Sequence, residues 1–260
     1  MSRNFDVLRR AERERQHRFE TEVPLLPELR ESNPVYEPLL GGEIVEGGGV
    51  QPPLGRSARE QIASLVKGLF LLPTSTTRAV AVAATEPNTD VAAITMGAAE
   101  CLSNLTSSRV CIVDANFDNP QLHTYFGLGS TPGLSDVMNG QAAIRNVLLR
   151  VAQNLWVVPA GTAAGLDEQH SIDTLTEIMV ALRRESDYLL LQSPSLSDTN
   201  SAIVLAKLTD GLVVVLEANR TRRDFVQTLK AKLDAANVWV LGAVFNNRTY
   251  PIPRSIYSRL

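Results

Sequence analysis

The sequence is short of cysteine and histidine, has no long apolar run, and carries no excess of either charge. Each shortage closes off a class of protein. Two cysteines and three histidines stand in 260 residues. Cys101 falls in a helical pattern and Cys111 in an apolar strand, and His17, His123 and His170 share no ligand spacing with them. A metal site is therefore not expected, and free buried thiols of a reducing compartment are. The longest apolar runs, such as Val213–Leu216, are far too short to span a bilayer. The first twenty residues, MSRNFDVLRRAERERQHRFE, hold no apolar core of the kind a signal peptide needs. The expected location is the cytoplasm, without direct membrane insertion. With 25 basic and 28 acidic residues, net −3, nothing draws the chain in bulk to nucleic acid or to an anionic membrane.

What is present is a regular core behind an irregular start. About 44% of residues are hydrophobic, enough to fill the interior of one domain with an appendage. Residues 1–20 read as a helix with Phe5, Leu8 and Ala11 on a narrow face among many charges. That is either a solvated helix or a docking helix for a partner. Residues 21–56 hold Pro24, Pro27, Pro34, Pro38, Pro52 and Pro53 with Gly47–Gly49, the composition of a flexible linker. The folded domain is expected over 57–248, and 249–260 is a tail.

Within the domain, helical and strand patterns alternate. Helices are expected at Ser57–Leu71, with Ser57 as N-cap, Asp90–Leu105, Asn119–Phe126, Ile172–Arg184, Ser201–Leu208 and Arg223–Ala236. Strands are expected at Ala79–Ala84, Arg109–Asp114, Leu155–Pro159, Tyr188–Leu191, Leu212–Glu217 and Val238–Phe245. The strands are continuous apolar runs rather than alternating ones. That pattern means a mostly parallel α/β sheet, doubly wound, with helices on both faces. Ligands of such sheets lie at the carboxyl ends of the strands.

The first strand runs into AATEPNTDVAAI. A phosphate-binding loop at this place needs glycines, a lysine and a Ser or Thr for Mg²⁺. None is there. Asn88-Thr89-Asp90 instead offers N-capping chemistry ahead of an apolar helix. A sharper reading puts the Asp90 carboxylate where a phosphate would otherwise bind. Asp114, at the end of the next strand, suits either a metal-bound water or the capping of a following helix. Gln192, at the end of the Tyr188 strand, is neutral and poorly suited to holding Mg²⁺. Asn246, at the end of the last strand, either reads a base edge or is a turn residue.

VCIVDANFDNPQLHTYFGLGSTPGLSDVMNG at 110–140, NLWVVPAG at 154–161, DYLLLQSPS at 187–195, TDGLVVVLEANRTRR at 209–223 and VLGAVFNNR at 240–248 follow one another in a known order. In that order the chain resembles the bacterial tyrosine kinases of capsule and exopolysaccharide synthesis, of the CpsD and CapB type, relatives of the MinD and ParA ATPases. The resemblance covers residues 57–248 and implies a P-loop NTPase fold. Asp114, Pro120, His123, Phe126, Gly133, Asp136 and Gly140 fit the family pattern.

The departures fall on the chemistry. Asn88, Thr89, Asp90, Val91, Ala92 and Ala93 stand in the family's Walker A stretch, with Val91 for the lysine and Ala92 and Ala93 for the hydroxyls. Asn116 and Asp118 replace an acidic residue and an arginine of the Walker A′ motif, and Gln192 replaces the Walker B aspartate. Asp114 and Asn246 alone match among the nucleotide-binding positions. Glu60 remains of a ring-assembly motif whose two arginines are Ala63 and Val66, and the tail keeps two tyrosines, Tyr250 and Tyr257. The resemblance implies a non-catalytic relative with no cofactor, acting as a regulatory or scaffold partner in polysaccharide synthesis or export. The expected partner is a membrane polysaccharide co-polymerase, an export protein or an intact kinase paralogue, holding the chain peripherally at the inner membrane. Homo-oligomers are compatible with it. The alternatives are an ATP- and Mg²⁺-dependent kinase or ATPase working through Asp114, and a tyrosine substrate of a paralogue.

Overall fold

The computed structural model describes residues 54–87, 89–162, 168–197 and 199–248, together with Ile44. The N-terminal helix expected over 1–20, nearly all of the linker, Asn88, Tyr250 and Tyr257 lie outside the described residues.

The first helix, α1 (Arg56–Val66), widens into a π-helical turn at Lys67–Leu71. Gly55, not Ser57, is its N-cap. The helix gains a residue at its start, where Arg56 pairs with Glu60 at 3.1 Å and Ser57 falls in the first turn. There follow β1 (Ala79–Ala84), α2 (Val91–Leu105), β2 (Val110–Asp114), α3 (Leu122–Tyr125), α4 (Leu134–Met138), α5 (Ile144–Val147), β3 (Leu149–Ala152) and β4 (Leu155–Val158). The rest is α6 (Glu168–Glu185), β5 (Tyr188–Gln192), α7 (Thr199–Lys207), β6 (Leu212–Glu217), α8 (Arg223–Ala235) and β7 (Val240–Asn246).

The seven strands form one sheet in the order β3-β4-β2-β5-β1-β6-β7. Every pairing is parallel except β3 with β4. Strands β1, β2, β4 and β6 are buried along their whole length, as unbroken apolar runs require when helices cover both faces. One face packs α1, α2 and α3 through Ile62, Val66, Met96, Leu102 and Leu122. The other packs α4 to α8 through Leu134, Val147, Leu182, Leu205 and Leu229. The doubly wound architecture is the one the sequence pattern implies. Helix α2 is lined with Ala92, Ala93, Gly97, Ala98 and Ala99, all buried; small side chains let it lie close on the sheet.

Three short elements, α4, α5 and β3, interrupt what reads as loop. Strand β3 is antiparallel at one sheet edge, and Ile44 of the linker region bridges to its Arg150. Cys101 is half-buried and Cys111 buried, both free, and burial pushes the Cys111 thiol up to about 12.

Candidate functional site

The carboxyl ends of β1, β2, β5, β6 and β7 converge on one rim. At the end of β1, Thr85 is buried, and its hydroxyl lies 2.9 Å from that of Thr221. The chain then turns into α2, whose N-cap is Asp90. Oδ1 of Asp90 accepts the Ala93 N–H at 2.9 Å, and Oδ2 accepts the Tyr125 hydroxyl at 2.5 Å. A carboxylate here satisfies a free N–H of the first turn and faces the positive end of the helix dipole. Burial, then the hydrogen bond and charge of Asp90, raise the Tyr125 hydroxyl far above its ordinary value, so Tyr125 stays a neutral donor. Behind this cap, Val91, Ala92 and Ala93 are 4%, 0% and 5% exposed. All three are core residues.

Asp114, fully buried at the end of β2, spends both oxygens on its own loop. Oδ1 accepts the Asn116 N–H at 3.1 Å, and Oδ2 accepts those of Gln121 and Leu122 at 3.0 and 3.1 Å. It thereby fixes the start of α3 at Leu122, and the helix expected from Asn119 begins three residues later. Asn119 and Pro120 stay in the turn that Asp114 organises. Burial raises the Asp114 carboxyl, and the N–H donors of Leu122, Asn116 and Gln121 pull against that rise. Asn116 is half-buried and Asp118 exposed.

Gln192 pairs in register with Asp114 across β2 and β5. It is fully buried, and neither its amide nitrogen nor its amide oxygen has a hydrogen-bond partner; the Ser193 hydroxyl is likewise buried and unpartnered. Such orphaned groups cost free energy. Among the described residues no group of three or more His, Cys, Asp or Glu is placed to hold a metal ion.

The third piece is Glu217, which the sequence reading passed over. It ends β6 and is 7% exposed. Oε2 accepts the Thr89 hydroxyl at 3.2 Å, Oε1 accepts the Asn247 amide at 2.6 Å, and the Glu217 N–H donates to the Thr221 hydroxyl at 3.0 Å. Glu217 thus ties the β1–α2 turn to the end of β7. A charged residue closing an otherwise apolar run was the available signal. Asn246 is half-buried, and its carbonyl accepts the Ala218 N–H at 3.0 Å. It also lines a cavity of about 630 Å³ between α1 and β7.

Beside these ends the glycine-rich loop at 127–133, GLGSTPG, is locked to the end of β4. Asp136 Oδ2 accepts the N–H groups of Gly133 and Thr162 at 2.7 and 2.9 Å, and Oδ1 accepts the Thr162 hydroxyl at 3.0 Å. Burial would push this carboxyl up, but the Thr162 and Gly133 donors outweigh it and hold it below its ordinary range. Gly133 allows the approach: a Cβ there would lie 2.2 Å from the Pro159 carbonyl oxygen.

Over 141 residues the chain is 33% identical to EpsB of Ralstonia nicotianae, a protein named as a tyrosine-protein kinase, covering 53% of this chain. In sequence the chain is similar to proteins named as bacterial tyrosine kinases. It is 24% identical over 144 residues to the tyrosine-protein kinase CpsD of Streptococcus agalactiae and, over the same length, 24% identical to the tyrosine-protein kinase ptk of Acinetobacter johnsonii. The matched part is about one fifth of EpsB and of the Acinetobacter kinase, and 62% of CpsD. No protein-family profile matches the chain. Solved structures agree on the fold. The chimeric protein CapA2B2 superposes with a TM-score of 0.67 at 18% identity, over 77% of this chain and 88% of that one. The kinase domain of the Escherichia coli tyrosine kinase ETK gives 0.64 at 15% identity, over 75% and 78%. The septum site-determining protein MinD of Pyrococcus horikoshii, complexed with Mg-ADP, gives 0.53 at 18% identity, over 71% and 77%. The P-loop fold implied by the strand-end motifs is therefore the fold found. Among the described residues no helix is long and apolar enough to cross a membrane.

Proposed function

We propose that the protein is a catalytically silent relative of the bacterial tyrosine kinases, acting as a regulatory or scaffold partner in capsule or exopolysaccharide synthesis or export. The observation that carries this reading is Asp90. Its carboxylate occupies the N-terminus of α2, the place where a P-loop helix receives phosphate, and its two oxygens are already bonded to Ala93 and Tyr125. An approaching phosphate meets a negative charge instead of a ring of free N–H groups.

The energetics point the same way. A micromolar nucleotide site is worth about −8 kcal/mol, and losing one partner of a buried charge pair costs roughly 3–5 kcal/mol. Absence of the lysine alone leaves a dissociation constant near millimolar. Phosphoryl transfer rests on positioning and charge stabilisation, and Val91, Ala92 and Gln192 supply neither. The competing reading, a kinase or ATPase working through Asp114, has to use a carboxylate whose oxygens already hold three backbone N–H groups. A role as tyrosine substrate would rest on Tyr250 and Tyr257, outside the described residues. The partner in this reading is a membrane polysaccharide co-polymerase, an export protein or an intact kinase paralogue.

The test is thermal unfolding of the full chain with and without millimolar Mg-ATP. A ligand at 100 times its dissociation constant adds about 2.7 kcal/mol, several degrees for a domain of this size. No shift is expected. A shift of several degrees overturns the silent-site reading and calls for a tyrosine-transfer assay.

A further inference from the structure

The two edges of the sheet are treated differently. At the β3 edge, Ile44 bridges to Arg150, and the Arg150 guanidinium lies 5.3 Å from the Trp156 ring centroid. At the other edge β7 pairs only with β6, and among the described residues nothing pairs with its outer side. The Asn246 carbonyl accepts from Ala218 and so points to β6. Alternation along the strand then turns the N–H and C=O groups of Phe245 and Ala243 outward. Exposed edges of this kind are usually blunted by charge or proline. The run Val238–Asn247, VWVLGAVFNN, has neither. It carries three large exposed apolar side chains, with Trp239, Val240 and Phe245 at 45%, 40% and 63%.

We infer that β7 is a self-association edge, on which β7 of a second copy pairs antiparallel about a two-fold axis near Ala243. The occupant follows from charge. An uncharged strand paired with itself sets no like charges opposite one another, and a two-fold contact needs one self-complementary patch only. The added strand also runs along the mouth of the cavity between α1 and β7, to which Ala243, Val244 and Phe245 contribute lining. Apolar side chains left in water on the monomer are thereby covered, and the two sheets become one. This inference is independent of whether nucleotide binds.

The experiment is sedimentation velocity on the full chain from about 5 to 200 μM, with Phe245→Lys and Ala243→Pro as variants. The expected result is a mass rising with concentration from 28.3 kDa toward twice that value, and loss of the rise in both variants. Proline at 243 removes an outward N–H and no bond to β6, and lysine at 245 sets a charge against the apolar Leu241 of the second strand in place of an apolar cross-strand contact. Their melting temperatures, measured in parallel, show that each remains folded. If Ala243→Pro fails to fold, Phe245→Lys decides alone. A chain that stays monomeric to 200 μM overturns the proposal, and so does a dimer that a folded Phe245→Lys leaves intact.

Discussion

Replacing Asp90 by alanine tests whether its carboxylate stands in for a phosphate. The side chain supplies an N-cap bond to Ala93, a favourable charge at the helix start and an acceptor for Tyr125. Loss of a cap costs about 1 kcal/mol, and loss of the Tyr125 hydrogen bond about another. Asp90→Ala should therefore destabilise by about 2 kcal/mol. At roughly 2–4 °C per kcal/mol for a domain of this size, the melting point falls by about 4–8 °C. Tyr125→Phe should cost about 1 kcal/mol, and the double variant less than the sum, with a coupling of about 1 kcal/mol. The second half of the test uses sulfate. Exclusion of sulfate from the surface stabilises both proteins alike, but only the alanine variant has an open anion site. With a dissociation constant of about 10 mM, 50 mM sulfate adds about 1 kcal/mol to the variant beyond its effect on the wild type. Scanning calorimetry reads both quantities. An Asp90→Ala variant that melts within 1 °C of the wild type refutes the cap, and equal sulfate shifts in the two proteins refute the stand-in.

Further outcomes follow from the same geometry. Gln192→Met removes two orphaned amide atoms at similar volume and should raise stability by about 1–2 kcal/mol in urea titrations; a loss would mean that the amide has a role. Gly133→Ala forces a Cβ onto the backbone of Pro159 and Gly161 and should cost about 2–3 kcal/mol, read as a lower denaturation midpoint. Asp136, held below its usual range, contributes stability that is present above the unfolded value of about 3.9 and is lost as pH falls through the folded value. Asp136→Asn should therefore be destabilised at pH 7, with the difference from wild type shrinking below about pH 4. Asp114 has the opposite sign. Its raised folded value means that its contribution is fully present below about 3.9 and is lost as pH rises through the folded value.

The sheet was legible because its strands announce themselves. Ala79–Ala84 and Leu212–Glu217 lie where the apolar runs begin and end, and the buried helix α2 is visible as small residues behind Asp90. Strand β3 was not legible. Its four residues, Leu149-Arg150-Val151-Ala152, are half in water at an antiparallel edge, and such an edge leaves no unbroken apolar run to read. The start of α1 was missed by one residue because Ser57 has the chemistry of a cap, while the buried stripe of Ile62 and Val66 allows the helix to begin earlier. Val66, where the resemblance implies a ring-assembly arginine, is part of the core.

The site was half legible, and the division has a physical cause. Asp90 as a cap is a local matter, four residues of chain, and sequence spacing reports it. Its bond to Tyr125 spans 35 positions, and the Glu217 bond to Thr89 spans 128; no spacing rule reaches so far. Those two contacts bear on the proposed reading of Val91 as standing in a lysine's place. Had the phosphate loop simply lost residues, the rim would expose free N–H groups and an open cleft. Here Asp90 is bonded from one side by Tyr125, and the turn that carries it is held from the other by Glu217 through Thr89. In the proposed reading Asp90 stands in for a phosphate, and these two contacts hold it there. On that reading the protein acts through surfaces such as the β7 edge rather than through a weakened version of the kinase reaction.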